Sequence, residues 1–358
     1  MDIFVIGADS YGGLALAREF SKEHRVIGLG LDRIPHSSTC FSSRMLLDRE
    51  DDLACQQIKS LASLQKSRPY LIFTDHPRNE YFLDQADDLR LYAKMPLAYD
   101  QRLPHRGVLN YLCEKYDFAL PQVYPSLEEE TPFPLISLSQ KEIYFSFEEV
   151  PKDDQGPFQE YIKGPSSKIR QFICFFSEEE DLLFYGSARG FAQYPLYLGQ
   201  PSILQTKSSL LDAALLSIAK EIKWRGYLSI LTKEDPYTKK QYLLSIKNRP
   251  GDFTFLWQKA GLPIGQALLG FNRDCHKILP GQWGRLGQES YLALGKNIAK
   301  GSFLELPLFS YVPLRSFGPL WTFNDPGVAI TYCSDTLERA YQGMKQWQAS
   351  RKKKKSMF

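Results

Sequence analysis

The chain has 358 residues, of which 43% are hydrophobic and 24% charged, a balance that argues against disordered, fibrous and membrane classes and predicts a globular protein of two or three domains. Lysine and arginine total 44 against 41 acidic residues, a formal net charge of +3, so no chain-wide basic field argues for nucleic acid. Six scattered cysteines without a CxxC pair, and five histidines without paired-ligand spacing, predict a reducing, cytoplasmic setting and no structural zinc site. The longest apolar runs fall far short of the roughly 20 residues that a spanning helix requires.

Residues 2–7 (DIFVIG) form an apolar run closing on Gly7, and LALAREF at 14–20 carries helical spacing, so the chain opens as strand, turn and helix. RVIGLGLD, ending in Asp32, and PYLIFTD, ending in Asp75, add two apolar strands, which predicts a small parallel α/β unit over about residues 1–95. After a Pro- and charge-rich stretch at 94–104, a helix is expected over Gly107–Tyr116, then a Pro-rich region that excludes a long helix. FQEYI, KIRQFICFF and DLLFYGSA read as antiparallel strands, 208–222 as a one-faced helix, and GYLSILT with QYLLSI as a hairpin closed by KEDPYTKK. Residues 261–300 read as helices broken by glycines, and Asp335–Trp347 as a last helix running into RKKKK.

GADSYGG at 7–13 lies where backbone N–H groups at a helix start can cradle a phosphate. The dinucleotide fingerprint would need glycine where Asp9 stands, and a carboxylate there repels a pyrophosphate. The other reading is a tight turn that packs helix on strand.

VIGADSYGGLALAREF, LAYDQ, ALPQVYPS, FPLISLS, FQEYIKGP, RGFAQYP, WRGYLSILTKEDPYTKKQYLLSIKNRPGD and WTFNDPG occur in a colinear order that resembles the ATP-grasp superfamily. Specifically, the chain resembles carboxylate-amine ligases related to the carbamoyl-phosphate synthase large chain. The resemblance implies an α/β fold: an N-terminal parallel pre-ATP-grasp unit, then an ATP-grasp-like two-lobed body with antiparallel sheets. It implies ATP held between the lobes and a carboxylate activated as an acyl phosphate. The domains expected are 1–95, 96–265, a C-terminal extension 266–348 and a basic tail 349–358.

Position by position, the resemblance also marks what is missing. Gln101 and Leu138 stand where relatives carry phosphate-binding lysines, and Lys141 is out of phase with position 138 on an extended strand. The glycine-rich lid of the family is missing, since only residues 139–157 separate Leu138 from Phe158 and Gly156 is their one glycine. FQEYIKGP resembles the adenine-binding hinge, with Gln159, Glu160, Tyr161 and Ile162 at the contact positions, which is compatible with ATP. RGFAQYP keeps Arg189 but places Gly190 and Ala192 where relatives often have basic residues.

At the metal end, Asp235 keeps one acidic position, while SIKNR puts Ser245 and Lys247 where a glutamate and an asparagine are expected and retains Arg249. Period-two alternation sets Ser245, Lys247 and Arg249 on one face, and a divalent ion about 4 Å from an ammonium is repelled by several kcal/mol, which argues against Mg²⁺. Lys247 and Arg249 could neutralise an anion directly, or Lys247 could pair with Asp235 or Glu234 across the hairpin.

The expected role is a non-catalytic ligand-binding or regulatory pseudoenzyme, partnered by a small molecule or by an active ligase. The alternatives are an active ATP-dependent carboxylate-amine or thiol ligase with a divergent site, and a nicotinamide-dependent enzyme built on GADSYGG, which Asp9 disfavours. The tail RKKKKSMF reads as a solvated end or as a weak contact with anionic surfaces.

Overall fold

The computed structural model describes residues 1–286, except 31–37, 75–77, 98, 100, 129, 140–142, 194–200 and 272–275. Asp32, Asp75, Asp100, Lys141, the end of RGFAQYP, WTFNDPG, the helix expected at Asp335–Trp347 and the basic tail lie outside the described residues. No helix among the described residues is long and apolar enough to cross a membrane.

The N-terminal unit comprises β1 (Asp2–Ile6), α1 (Tyr11–Phe20), β2 (Arg25–Gly30), β3 (Ser43–Leu46), α2 (Asp51–Ser63), β4 (Tyr70–Phe73), α3 (Asn79–Asp84) and α4 (Ala86–Tyr92). Its sheet is parallel in the order β3-β2-β1-β4. Central strand β1 is apolar on both faces because each face is covered: Ile3 and Val5 enter one core, Phe4 and Ile6 another.

GADSYGG is a packing turn. Ser10 caps α1 by accepting the Gly13 N–H at 2.9 Å. A Cβ on Gly13 would fall 2.1 Å from the Gly7 carbonyl oxygen, and one on Gly12 would fall 2.5 Å from that of Gly251. Glycine at position 12 therefore lets a distant loop touch α1.

The body begins with α5 (Arg106–Lys115), β5 (Phe118–Ala119), β6 (Val123–Tyr124), β7 (Leu135–Ser137), β8 (Ile143–Tyr144) and β9 (Phe158–Glu160). It continues with β10 (Ile169–Phe176), β11 (Leu182–Gln193), β12 (Pro201–Thr206), α6 (Asp212–Glu221), β13 (Gly226–Glu234) and β14 (Gln241–Lys247). Helices α7 (Thr254–Lys259) and α8 (Ile264–Leu268) and strands β15 (His276–Lys277) and β16 (Trp283–Arg285) close the described chain. One lobe is a four-stranded antiparallel sheet, β6-β9-β7-β8. The other is an eight-stranded sheet ordered β16-β12-β11-β10-β13-β14-β5 with β15 beside β11, antiparallel except for the β14–β5 and β11–β15 pairs.

One expectation needs correction within residues 261–286. Only α8 is helical there, while β15 and β16 join the large sheet. Glycines weaken helix in this stretch, and Thr206 on β12 recruits it: the Thr206 N–H donates to Gln282 O and the Gln282 N–H to Thr206 Oγ1, both at 2.8 Å.

The cores of the two units merge. Residues of β1 and α1 share one cluster with Phe175, Phe184, Phe253, Leu256, Trp257 and Ile264 of the body. Half-buried Glu19 of α1 accepts from the Gly265 N–H at 3.3 Å and from the Gln258 amide, which ties α1 to α7 and α8. Gly12→Ala should therefore push the Gly251 loop away and lower stability by about 1–3 kcal/mol, measured by denaturant unfolding.

Candidate functional site

A cavity of about 230 Å³ opens between the two sheets. The small lobe contributes Ile136 of β7, Leu138, and Gln159, Glu160, Tyr161 and Ile162 at the end of β9. The large sheet contributes Gln171 of β10, Pro201 of β12, Ser229, Leu231 and Lys233 of β13, and Leu244, Ser245 and Lys247 of β14. Arg249, Gly251, Asp252 and Phe253 form the wall next to the N-terminal unit.

Register explains which side chains face this space. Ser229 pairs with Lys247 and Leu231 with Ser245, after which a bulge shifts the pairing so that Thr232 opposes Leu243. The alternate β13 residues Leu228 and Ile230 pack the opposite face, against α6 residues Leu215, Ile218 and Ala219. Leu244 is the extra residue at the bulge, so it and Ser245 both reach the cavity.

The hinge segment is held by its backbone. The Glu160 N–H donates to Gln122 O at 2.8 Å and the Tyr161 N–H to Pro134 O at 3.2 Å, while the Glu160 carboxylate accepts from the Gln122 N–H at 3.1 Å. The Ile162 N–H has no hydrogen-bond partner among the described residues. Gly164, at φ +120°, brings the following turn against Pro236, where a Cβ would meet the proline ring at 2.8 Å.

Other residues singled out in the sequence lie elsewhere. Asp235 sits in the β13–β14 turn, where its Oδ1 accepts the Tyr237 N–H at 2.8 Å, and it does not line the cavity. Arg189 is also off the cavity: its Nε donates to Ser167 O at 3.1 Å, and its guanidinium lies 5.6 Å from the Phe191 ring centre. Gln101 accepts the Arg225 N–H at 3.1 Å and serves as a clamp on that turn.

Pairing of Lys247 with the hairpin acids is overturned by the register. Lys247 stands opposite Ser229, so roughly 20 Å of strand separates it from Asp235. Glu234 is instead bound to Lys168 and accepts from Gln241. Arg249 donates to Asn248 Oδ1 at 2.9 Å and lies 3.5 Å from the Glu80 carboxylate, leaving its buried Nε without a partner. Asn248 in turn donates to Tyr99 O at 2.9 Å, so this wall is fastened to the N-terminal unit.

Lys233 is a site residue that motif reasoning passed over. It is only 1% exposed, it lines the cavity, and its Nζ lies 5.2 Å from the centre of the Tyr161 ring. Its ammonium makes no hydrogen bond or salt bridge with any described residue. Burial pushes its pKa down to about 8, with the Asp235 charge acting weakly the other way. In the sequence it sits among the charges of TKEDPYTKK and reads as solvated; only its phase with Ser229 and Leu231 points inward.

The fold matches solved structures. One is N5-carboxyaminoimidazole ribonucleotide synthetase in its ADP complex, at 13% identity and TM-score 0.57, covering 78% of this chain and 79% of that one. This chain has the ATP-grasp fold. The L-amino acid ligase from Bacillus licheniformis matches at 12% identity and TM-score 0.54, over 75% of this chain and 73% of that one. The β,γ-ATP complex of biotin carboxylase from Campylobacter jejuni matches at 10% identity and TM-score 0.57, over 78% and 74%. No protein-family model matches the chain, and no curated protein does.

On this ATP-grasp framework, the interlobe cavity carries Lys233, Lys247 and Arg249 together with the carboxylates of Glu160 and Asp252. Among the described residues, no three His, Cys, Asp or Glu side chains are grouped to hold a metal ion.

The buried ammonium sets a pH dependence of stability. Below pH 8 the folded and unfolded chains both keep the Lys233 proton, and the folded state bears its desolvation. Between pH 8 and the ordinary value of 10.5, the folded chain releases the proton while the unfolded chain retains it, so stability rises. Lys233→Met should therefore stabilise the protein at pH 7 by roughly 1–3 kcal/mol, a gain that shrinks toward pH 10.5. Paired denaturant curves of both proteins across this range provide the measurement.

Proposed function

We propose that the chain is a non-catalytic ATP-grasp-fold protein that binds an acidic ligand between its lobes without a divalent metal, as a ligand sensor or as a regulator of an active ligase. The observation that carries this reading is the paired cavity face of β13 and β14, where Leu231 opposes Ser245 and Lys247 opposes Ser229. A Mg²⁺–phosphate site needs carboxylate oxygens there to hold the ion. A leucine, two serines and an ammonium cannot supply them, and the ammonium repels a cation.

In this reading, Lys247 and Arg249 neutralise the acidic end of the ligand, and Gln159, Glu160, Tyr161 and Ile162 form the hinge against which its other end lies. The Ile162 N–H is a donor available to the ligand. Arg189 and Asp235 act on the scaffold, through Ser167 and the hairpin turn. The units proposed are a pre-ATP-grasp domain over 1–95, a body over 96–265 and an extension beyond it. Leu138 and Gln101 leave phosphoryl transfer without the cations that stabilise its transition state, and each such contact contributes about 3–4 kcal/mol where it has been removed.

Titration with ATP in the presence and absence of Mg²⁺ tests this function. Binding should weaken with salt, should not strengthen with Mg²⁺, and no ADP should be released with a panel of carboxylates and amines. Mg²⁺-dependent turnover would establish an active ligase instead. Lys247→Glu should weaken metal-free binding by on the order of 2 kcal/mol, read by calorimetry, because a favourable contact becomes a repulsion.

A further inference from the structure

Beyond the Lys247 end, the cavity contains a second cation whose surroundings define what it can bind. Lys233 is 1% exposed, and no described carboxylate, carbonyl or hydroxyl accepts from its ammonium. Tyr161 offers the face of its ring at 5.2 Å, and Asp235 is engaged with the Tyr237 N–H in the turn beyond. Glu160, the other acid at this end, is held by the Gln122 N–H. A buried ammonium left in this condition is costly to the fold, and the cost is relieved when an anion supplies both charge and acceptors.

We infer that the hinge end of the cavity is a binding site for an acid group, a carboxylate or a phosphate, which pairs with the Lys233 ammonium beneath the Tyr161 ring. A neutral purine is a poor occupant of the same place. It offers a π-face and ring nitrogens, but no negative charge to offset a desolvated cation whose one aromatic contact is already Tyr161. This inference rests on the reading that the cleft binds a ligand, and it specifies that ligand's chemistry.

The β13 register adds a length requirement. Lys233 and the Ser229–Lys247 pair lie four residues apart on one strand face, roughly 13 Å along it, with Gln171, Leu231 and Ser245 lining the space between. The favoured ligand is therefore an elongated molecule with an acid group at each end and a less polar middle. Gln171 donates from Nε2 to Ser229 Oγ at 3.1 Å, and its buried Oε1, unpartnered, is an acceptor for a donor on that middle part.

The test is calorimetric titration of the full chain with inorganic phosphate, succinate, suberate, adenosine and ATP, in wild type, Lys233→Met and Lys247→Met. Phosphate or a dicarboxylate should bind wild type, Lys233→Met should weaken that binding at least tenfold, and Lys247→Met should weaken suberate to the same degree. Preference between phosphate and dicarboxylates identifies the acid group, and suberate binding above succinate supports the two-ended ligand. Adenosine should bind wild type no better than Lys233→Met. Acid binding that Lys233→Met leaves unchanged, or adenosine that binds wild type more tightly and displaces the acids, overturns the inference. If ATP binding depends on Lys247 but not on Lys233, this inference fails while the proposed function stands; if neither ATP nor any acid binds, both fail. Thermal unfolding of each variant confirms folding, and Lys233→Met should melt no lower than wild type.

Discussion

The antiparallel register of β13 against β14 is the constraint on which the site depends. Both neighbours of β13 hold it in place, β10 through eight consecutive residue pairs and β14 through the hairpin. Its opposite face is committed as well, since Leu228 and Ile230 fill the core beneath α6. Slipping by one residue would turn those apolar side chains into the cleft and drive Ser229, Leu231 and Lys233 into that core. The large hydrophobic core therefore enforces the chemical character of the cavity, although none of its residues touches a ligand.

A second set of contacts fixes the cavity wall from outside the body. Gly12 lets the Gly251 carbonyl reach α1, Asn248 donates to the backbone at Tyr99, and Arg249 reaches Glu80. Each links residues 248–251 to the N-terminal parallel unit, whose own glycine-rich turn is filled by packing. That unit works as a buttress: Gly12 and Gly13 of its first turn permit close backbone approach, at Gly251 and at Gly7.

Lys233 carries a cost to the fold that the proposed acid group would relieve. Burial has lowered its proton affinity without supplying a partner, so the free protein carries a cost that an apolar residue would avoid. Hydrophobic neighbours on the other β13 face and the sheet hydrogen bonds on both sides hold the strand regardless. In the proposed binding, the ligand's charge would meet an ammonium already in position, so little would be lost in ordering it.

The sequence by itself determined a good deal of this protein. Alternating apolar strands separated by helices specified the parallel N-terminal sheet, and KEDPYTKK between two apolar runs specified the β13–β14 hairpin. Period-two alternation also put Ser245 and Lys247 on one face, since that depends only on neighbours along a strand. Tertiary structure alone decided which face meets the second lobe. It moved Asp235 and Arg189 off the cavity, put β16 on the open edge of β12, and buried Lys233, a residue whose charged neighbours in sequence suggest solvent. The physical reason is range: alternation and turn chemistry act over a few residues, whereas burial and pairing are set by segments far away in the chain, as when Tyr161 closes over Lys233 or Gly251 over Gly12.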